Sequence, residues 1–192
     1  MPTLTISPVT RIEGHGKITV QVDDGGQVGA VRFQVASFRG FEQFLRGVAI
    51  ERLPALTSRI CGICPVAHQL ASVKAIEKAL GVTVPPAAAR LRELLGLGQF
   101  LSSHILSLGV LSLPDLLLPG ESVEKRNLIG LMQVNPALVQ QVMALRAAGM
   151  AFFTTVGRRE VHIGSCVVGG ISKPLTEEER QGLLAKLQAA EP

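Results

Sequence analysis

An α+β fold, in which a small antiparallel β region precedes a mainly α-helical bundle, is what this 192-residue sequence predicts. Three observations carry it. Two β-rich runs near the N-terminus flank a glycine turn, apolar residues recur at helical spacing from Phe41 onward, and prolines and glycines punctuate the later runs where helices start and stop. The expected organisation is a β region over residues 1–40 and a helical region over 41–192.

The elements follow in order. "LTISPV" reads as a first strand. "KITVQV" and "VGAVRFQVASF" form a hairpin around "DDGG", whose glycines accept positive φ. "FEQFLRGVAI" places Phe41, Phe44, Leu45 and Val48 on one helical face. "PVAHQLASVKAIEKALG" is a helix with Pro65 in its first turn and Gly81 past its end. "VPP" at Val84–Pro86 breaks the chain before a long apolar helix over Leu94–Leu113, closed by Pro114 and Asp115. "NPALVQQVMALRAAGMAFFTTVG" is the next helix, between Pro136 and Gly157. A turn then leads to a last helix opened by Thr176, with Glu179 three residues later in a capping box. That helix runs to the terminus, where a larger architecture would continue.

Composition narrows the function classes. Hydrophobic residues make up 47% of the chain, and with Trp and Tyr absent and seven Phe the excess is aliphatic. Either a large helical core is buried or apolar surface awaits a partner. The net charge of +4 is interspersed, and "GRRE" reads as a solvated loop, so nucleic-acid binding is not expected. No secretory signal is readable at the N-terminus. Leu94–Leu113 has the length and apolarity of a membrane span, without Asp, Glu, Lys or Arg. Arg90 and Arg92 precede it, however, and Gln99, Ser103 and Ser107 form a polar stripe with His104 beside it. A helix buried in protein is therefore expected, and no span.

Three cysteines, two of them in a C-x-x-C, point to a reducing compartment and a metal or redox role. In "RICGICPVAHQ", Cys64 precedes a helix, Cys61 lies in the turn before it, and Arg59 adds positive charge. This setting favours thiolate, and thiolates select soft metals. A closed zinc site would need further donors at metal-ligand spacing. Cys166, His15, His68, His104 and His162 show no such pairing. The βαβ context of a thioredoxin-like pair is missing, and two buried structural thiols remain the plain alternative. Upstream, "PVTRIEGHGK" holds Glu13 in a stretch too glycine-rich for a helix: a surface partner of Arg11, or a proton carrier if the loop folds inward.

Taken together, "PVTRIEGHGK", "FRGFEQF", "RICGICPVAHQLAS" and "SHILSLGVLSLPD", in this order and spacing, resemble the N-terminal part of the large subunit of nickel–iron hydrogenases, closest to the soluble, cytoplasmic, NAD-linked type. The resemblance weakens after about Gly120. It implies an incomplete portion of a larger large-subunit fold. It also implies a Ni–Fe centre carrying carbon monoxide and cyanide that cleaves or forms H2. The implied partners are a small subunit bearing the iron–sulfur clusters and diaphorase subunits using NAD(P). Carried over, Cys61 is a terminal nickel ligand, Cys64 bridges nickel and iron, Glu13 accepts the first proton, and Glu42 binds magnesium. His68 orients a bridging thiolate, and Arg59 braces the cysteine loop or faces the small subunit.

Two departures matter. The family's second thiolate pair, in D-P-C-x-x-C, is absent, and Ser107 stands where a second histidine is usual. The missing donors are expected on sequence outside this chain, through truncation or a split subunit. The alternative is a zinc-binding or scaffold module reusing the half-site.

Overall fold

The computed structural model describes residues 2–191, which divide into two compact units meeting between Phe41 and Glu42.

The first unit is a three-stranded antiparallel sheet, β1 (Thr3–Ile6), β2 (Gly16–Val22) and β3 (Val28–Val35), in the order β1-β2-β3. Asp23 Oδ1 closes the hairpin turn by accepting the amides of Gly25 and Gln27, at 2.9 and 2.8 Å. The register stacks Leu4 on Val20 and Val31, and Ile6 on Ile18 and Phe33, so one face of the sheet is apolar. Thr5, Thr19 and Arg32 line the other face. The apolar face is open: Leu4, Val31 and Phe33 are each more than half exposed.

The second unit is helical: α1 (Phe41–Phe44), α2 (Leu53–Thr57), α3 (Pro65–Leu80), α4 (Pro86–Ile105), α5 (Leu113–Leu117), α6 (Leu128–Val134), α7 (Pro136–Thr155) and α8 (Glu177–Ala190). A small hairpin, β4 (Cys166–Val167) with β5 (Gly170–Ile171), lies between α7 and α8. Local chemistry sets most of these ends. Gly81 closes α3 in the left-handed region, Asn127 and Asn135 cap α6 and α7, and Thr176 with Glu179 forms the expected capping box on α8. The core gathers Val66 and Val73 of α3, Leu95 of α4, Phe152 and Phe153 of α7, and Leu183 of α8.

Two expectations are corrected. The helix read over residues 41–50 is a single turn, and Phe44 is 63% exposed; Gly47, at φ 75°, turns the chain out of helical conformation. The long apolar helix starts earlier, at Pro86. It continues beyond α4 through a π-helical segment (Leu106–Ser112) into α5.

Its orientation also differs from a simple apolar-inward reading. Arg92, Leu95, Gln99 and Ser102 are buried, while Leu97, Phe100 and Leu108 are more than half exposed. The crossing with α7 fixes the Ser102 side of the buried face. A Cβ on Gly149 would fall 2.7 Å from the Ser102 amide nitrogen, so only glycine allows α7 to approach α4 on that side.

Candidate metal centre

After α2 the chain turns sharply through Ser58–Cys64 into α3. Ser58 Oγ and Arg59 Nη1 both donate to the Ala55 carbonyl, at 3.0 and 2.7 Å, which folds the turn back on α2. His162 Nδ1 donates to the Ser58 carbonyl at 2.8 Å, tying this turn to the segment after α7. Because a carbonyl only accepts, Nδ1 carries the proton. Arg59 makes its Ala55 contact within its own turn and is otherwise exposed.

Cys61 and Cys64 are half-buried, and none of the three cysteines is in a disulfide. Their sulfurs lie 2.6 Å apart, and Cys61 Sγ accepts the Cys64 amide at 3.2 Å. One helical turn separates Cys64 from His68, so α3 brings the imidazole to the same side. The ligand atoms of Cys61, Cys64 and His68 all lie within 4.8 Å of one another. Among the described residues no further His, Cys, Asp or Glu joins them. Two sulfurs and a nitrogen suit a soft or borderline metal and fall short of a closed four-donor site.

Cys166, Glu42 and Glu13 each have their own surroundings. Cys166 sits in the core on β4, 1% exposed, and burial pushes its thiol above the ordinary range. Glu42, exposed on α1, lines an open depression of about 290 Å³ with Leu45, Arg46, Thr57, Ser72 and Ile76; among the described residues it is the only carboxylate there. Glu13 belongs to the first unit, in an exposed irregular loop where Arg11 and Gly14 take positive φ and the His15 amide donates to Ser37 Oγ at 2.9 Å.

Sequence reasoning missed two buried polar residues of α4. Gln99, noted only as part of a stripe, is buried and accepts the amides of Val66 and Ala67. Arg92 is 4% exposed and forks onto Glu77 of α3 while also donating to the Val167 and Gly170 carbonyls. The available signal was a polar residue at a helical position that the core should claim.

Comparison with known proteins agrees along the chain. A HoxL-like family profile matches residues 3–38 and a nickel-dependent hydrogenase profile matches residues 39–117. The matching polypeptide of the F420-non-reducing hydrogenase vhc from Methanococcus voltae is 46% identical over 185 residues, 96% of this chain and 39% of that protein. The NAD-reducing hydrogenase HoxS subunit beta of Cupriavidus necator is 38% identical, over 94% of this chain and 38% of its own length. The crystal structure of an NAD+-reducing [NiFe]-hydrogenase in the H2-reduced state superposes with a TM-score of 0.89 at 38% identity. It covers 99% of this chain and 43% of that one. The chain thus spans about two-fifths of the length of the relatives it matches.

Proposed function

The chain belongs to the large-subunit family of nickel–iron hydrogenases, and on that premise we propose that it supplies half of the donor set of a nickel–iron centre that takes up or releases dihydrogen. The observation that carries this reading is the juxtaposition of Cys61, Cys64 and His68 at the head of α3. When bound, a nickel–iron centre with carbon monoxide and cyanide on its iron supplies the heterolytic cleavage of H2. Cys61 and Cys64 would hold the centre through their sulfurs, Cys61 as a ligand to nickel and Cys64 as a ligand to nickel and iron. His68, one turn along α3, would orient the bridging thiolate by donating a hydrogen bond. The carboxylate of Glu13 would take the first proton passed out from the thiolates. Glu42 would contribute an oxygen to magnesium, a hard cation that needs oxygen donors beyond the single carboxylate of its depression. Arg59, which donates to the Ala55 carbonyl, would brace the cysteine turn.

The remaining two thiolates would come from polypeptide beyond these residues. A small subunit with iron–sulfur clusters would carry electrons away, to NAD(P)-linked diaphorase subunits in the NAD-reducing type. The F420-non-reducing relative from Methanococcus voltae shares more sequence with this chain than the NAD-reducing one, so the acceptor is a matter for those partners. Two helices, Pro86–Leu117 and Pro136–Thr155, are long and apolar enough to cross a membrane. We read them as core helices of a cytoplasmic protein, because α4 buries Arg92, Gln99 and Ser102 against specific partners.

The test is to purify the chain alone and then with its missing portion and small subunit. Alone it should show no hydrogen uptake with an artificial acceptor. Completed, it should contain nickel and iron with infrared bands of carbon monoxide and cyanide. The three-donor cluster also supports a second reading, a zinc module, and one tightly held zinc per chain in the completed complex would favour it.

A further inference from the structure

The N-terminus of α3 is completed from outside the helix. Pro65 has no N–H, and the His68 amide reaches the Cys64 carbonyl at 3.5 Å. That leaves the amides of Val66 and Ala67, and both donate to Gln99 Oε1, at 3.0 and 3.2 Å. Gln99 stands on α4, 33 positions away from Val66, and is 6% exposed. Cys64 occupies the N-cap position, yet its side chain makes no cap hydrogen bond. An N-cap residue ordinarily satisfies these amides with a side-chain oxygen, as Ser, Thr, Asp or Asn do. None of those offers a soft ligand, and a thiolate used as a cap would be drawn toward the helix.

We infer that Gln99 is a positioning residue for the metal centre: it caps α3 from across the α3–α4 packing, so that capping does not draw on the Cys64 sulfur. The inference rests on the reading that Cys61 and Cys64 are metal ligands. The choice of side chain follows from the chemistry. Glutamine is long enough to reach from a neighbouring helix, and one carbonyl oxygen can accept two amides. By fixing the first turn of α3, Gln99 also fixes the spacing of Cys64 to His68, which lies within that turn and the next.

Cobalt(II), whose thiolate charge-transfer band reports coordination, is the probe, titrated into the full 192-residue chain. Gln99→Met keeps the length and removes the acceptor, Gln99→Asn withdraws it by one methylene, and Gln99→Glu retains it. The Met and Asn chains should bind cobalt about tenfold or more weakly, with an altered band. Amide exchange at Val66 and Ala67 should accelerate, and Gln99→Glu should restore band and protection. A general loss of packing would not be rescued by the charged isostere. A Met or Asn chain that keeps its circular dichroism, the wild-type cobalt affinity and the wild-type band overturns the inference. Should both unfold, failure of Gln99→Glu to restore protection at Val66 and Ala67 overturns it instead. Equal cobalt affinity in wild type and in Cys61→Ser and Cys64→Ser chains would sink the half-site reading itself, and is thereby distinguishable.

Discussion

Removing the guanidinium of Arg92 is the sharpest test of how the helical unit holds α3 in place. Arg92 donates to both Glu77 oxygens, at 3.0 and 2.6 Å, to the Gly170 carbonyl from Nε and Nη2, and to the Val167 carbonyl at 2.7 Å. One side chain of α4 therefore binds α3 and the β4–β5 hairpin at once, with the pair's side chains only 5% and 7% exposed. In Arg92→Met the Glu77 carboxylate keeps the Gly169 amide, at 2.8 Å, but loses its counter-charge. Stranding one member of a buried pair costs about 3–5 kcal/mol. The lower end applies, because the α3–α4 cleft, about 670 Å³, is lined by both residues and lets water approach. Urea unfolding followed by helical circular dichroism should show a loss of about 3 kcal/mol at pH 7. The double variant Glu77→Leu with Arg92→Met should lose less than Arg92→Met alone, since no charge is then left unpaired.

The pH dependence has a definite sign. The Arg92 hydrogen bond, working against burial, holds the Glu77 carboxyl below its ordinary value of 4.5. The folded state thus binds fewer protons there than the unfolded one. This contribution is complete above that ordinary value and is lost as pH falls through the folded one. The unfolded states cancel in the comparison with Arg92→Met, where Glu77 keeps its burial but loses the Arg92 hydrogen bond. The wild-type advantage should therefore be largest at neutral pH and shrink as acid protonates the stranded Glu77. A loss under about 1 kcal/mol, with the advantage unchanged in acid, would refute the assignment of this pair as the tie between α3, α4 and the hairpin.

Three further outcomes follow from the site and the packing. In a completed enzyme, Glu13→Gln should retain nickel and iron yet suppress proton–deuterium exchange; undiminished exchange would remove Glu13 from the proton path. The chain by itself should hold no magnesium after gel filtration, because among the described residues Glu42 is the only carboxylate in its depression, and stoichiometric magnesium by atomic emission would contradict that. Gly149→Ala should cost about 1–3 kcal/mol, because its Cβ meets backbone atoms of α4 at 2.7 and 3.0 Å, whereas Gly182→Ala on α8, with nothing within 4 Å, should be neutral or stabilising; equal melting temperatures for the two would mean that α4 and α7 are free to part.

The local chemistry of this chain was legible in its sequence. The hairpin turn, Pro65 and Gly81 at the ends of α3, the Thr176–Glu179 capping box and the placement of Cys64 one turn from His68 all depend on contacts within about four residues. Such contacts are written by neighbours, and a thiol pair before a helix needs no distant partner to be recognised as soft-metal chemistry. What the tertiary structure alone decided is which face of α4 turns inward. Periodicity describes Gln99 as part of a polar stripe and Arg92 as a flanking charge. Both are buried because acceptors and donors 33 and 78 positions away satisfy them. The near-solitary turn at Phe41–Phe44 shows the converse: an apolar helical pattern does not persist where Gly47 turns the backbone. Burial of a polar group is set by whether its hydrogen bonds are met, and that sum runs over residues brought together only by folding.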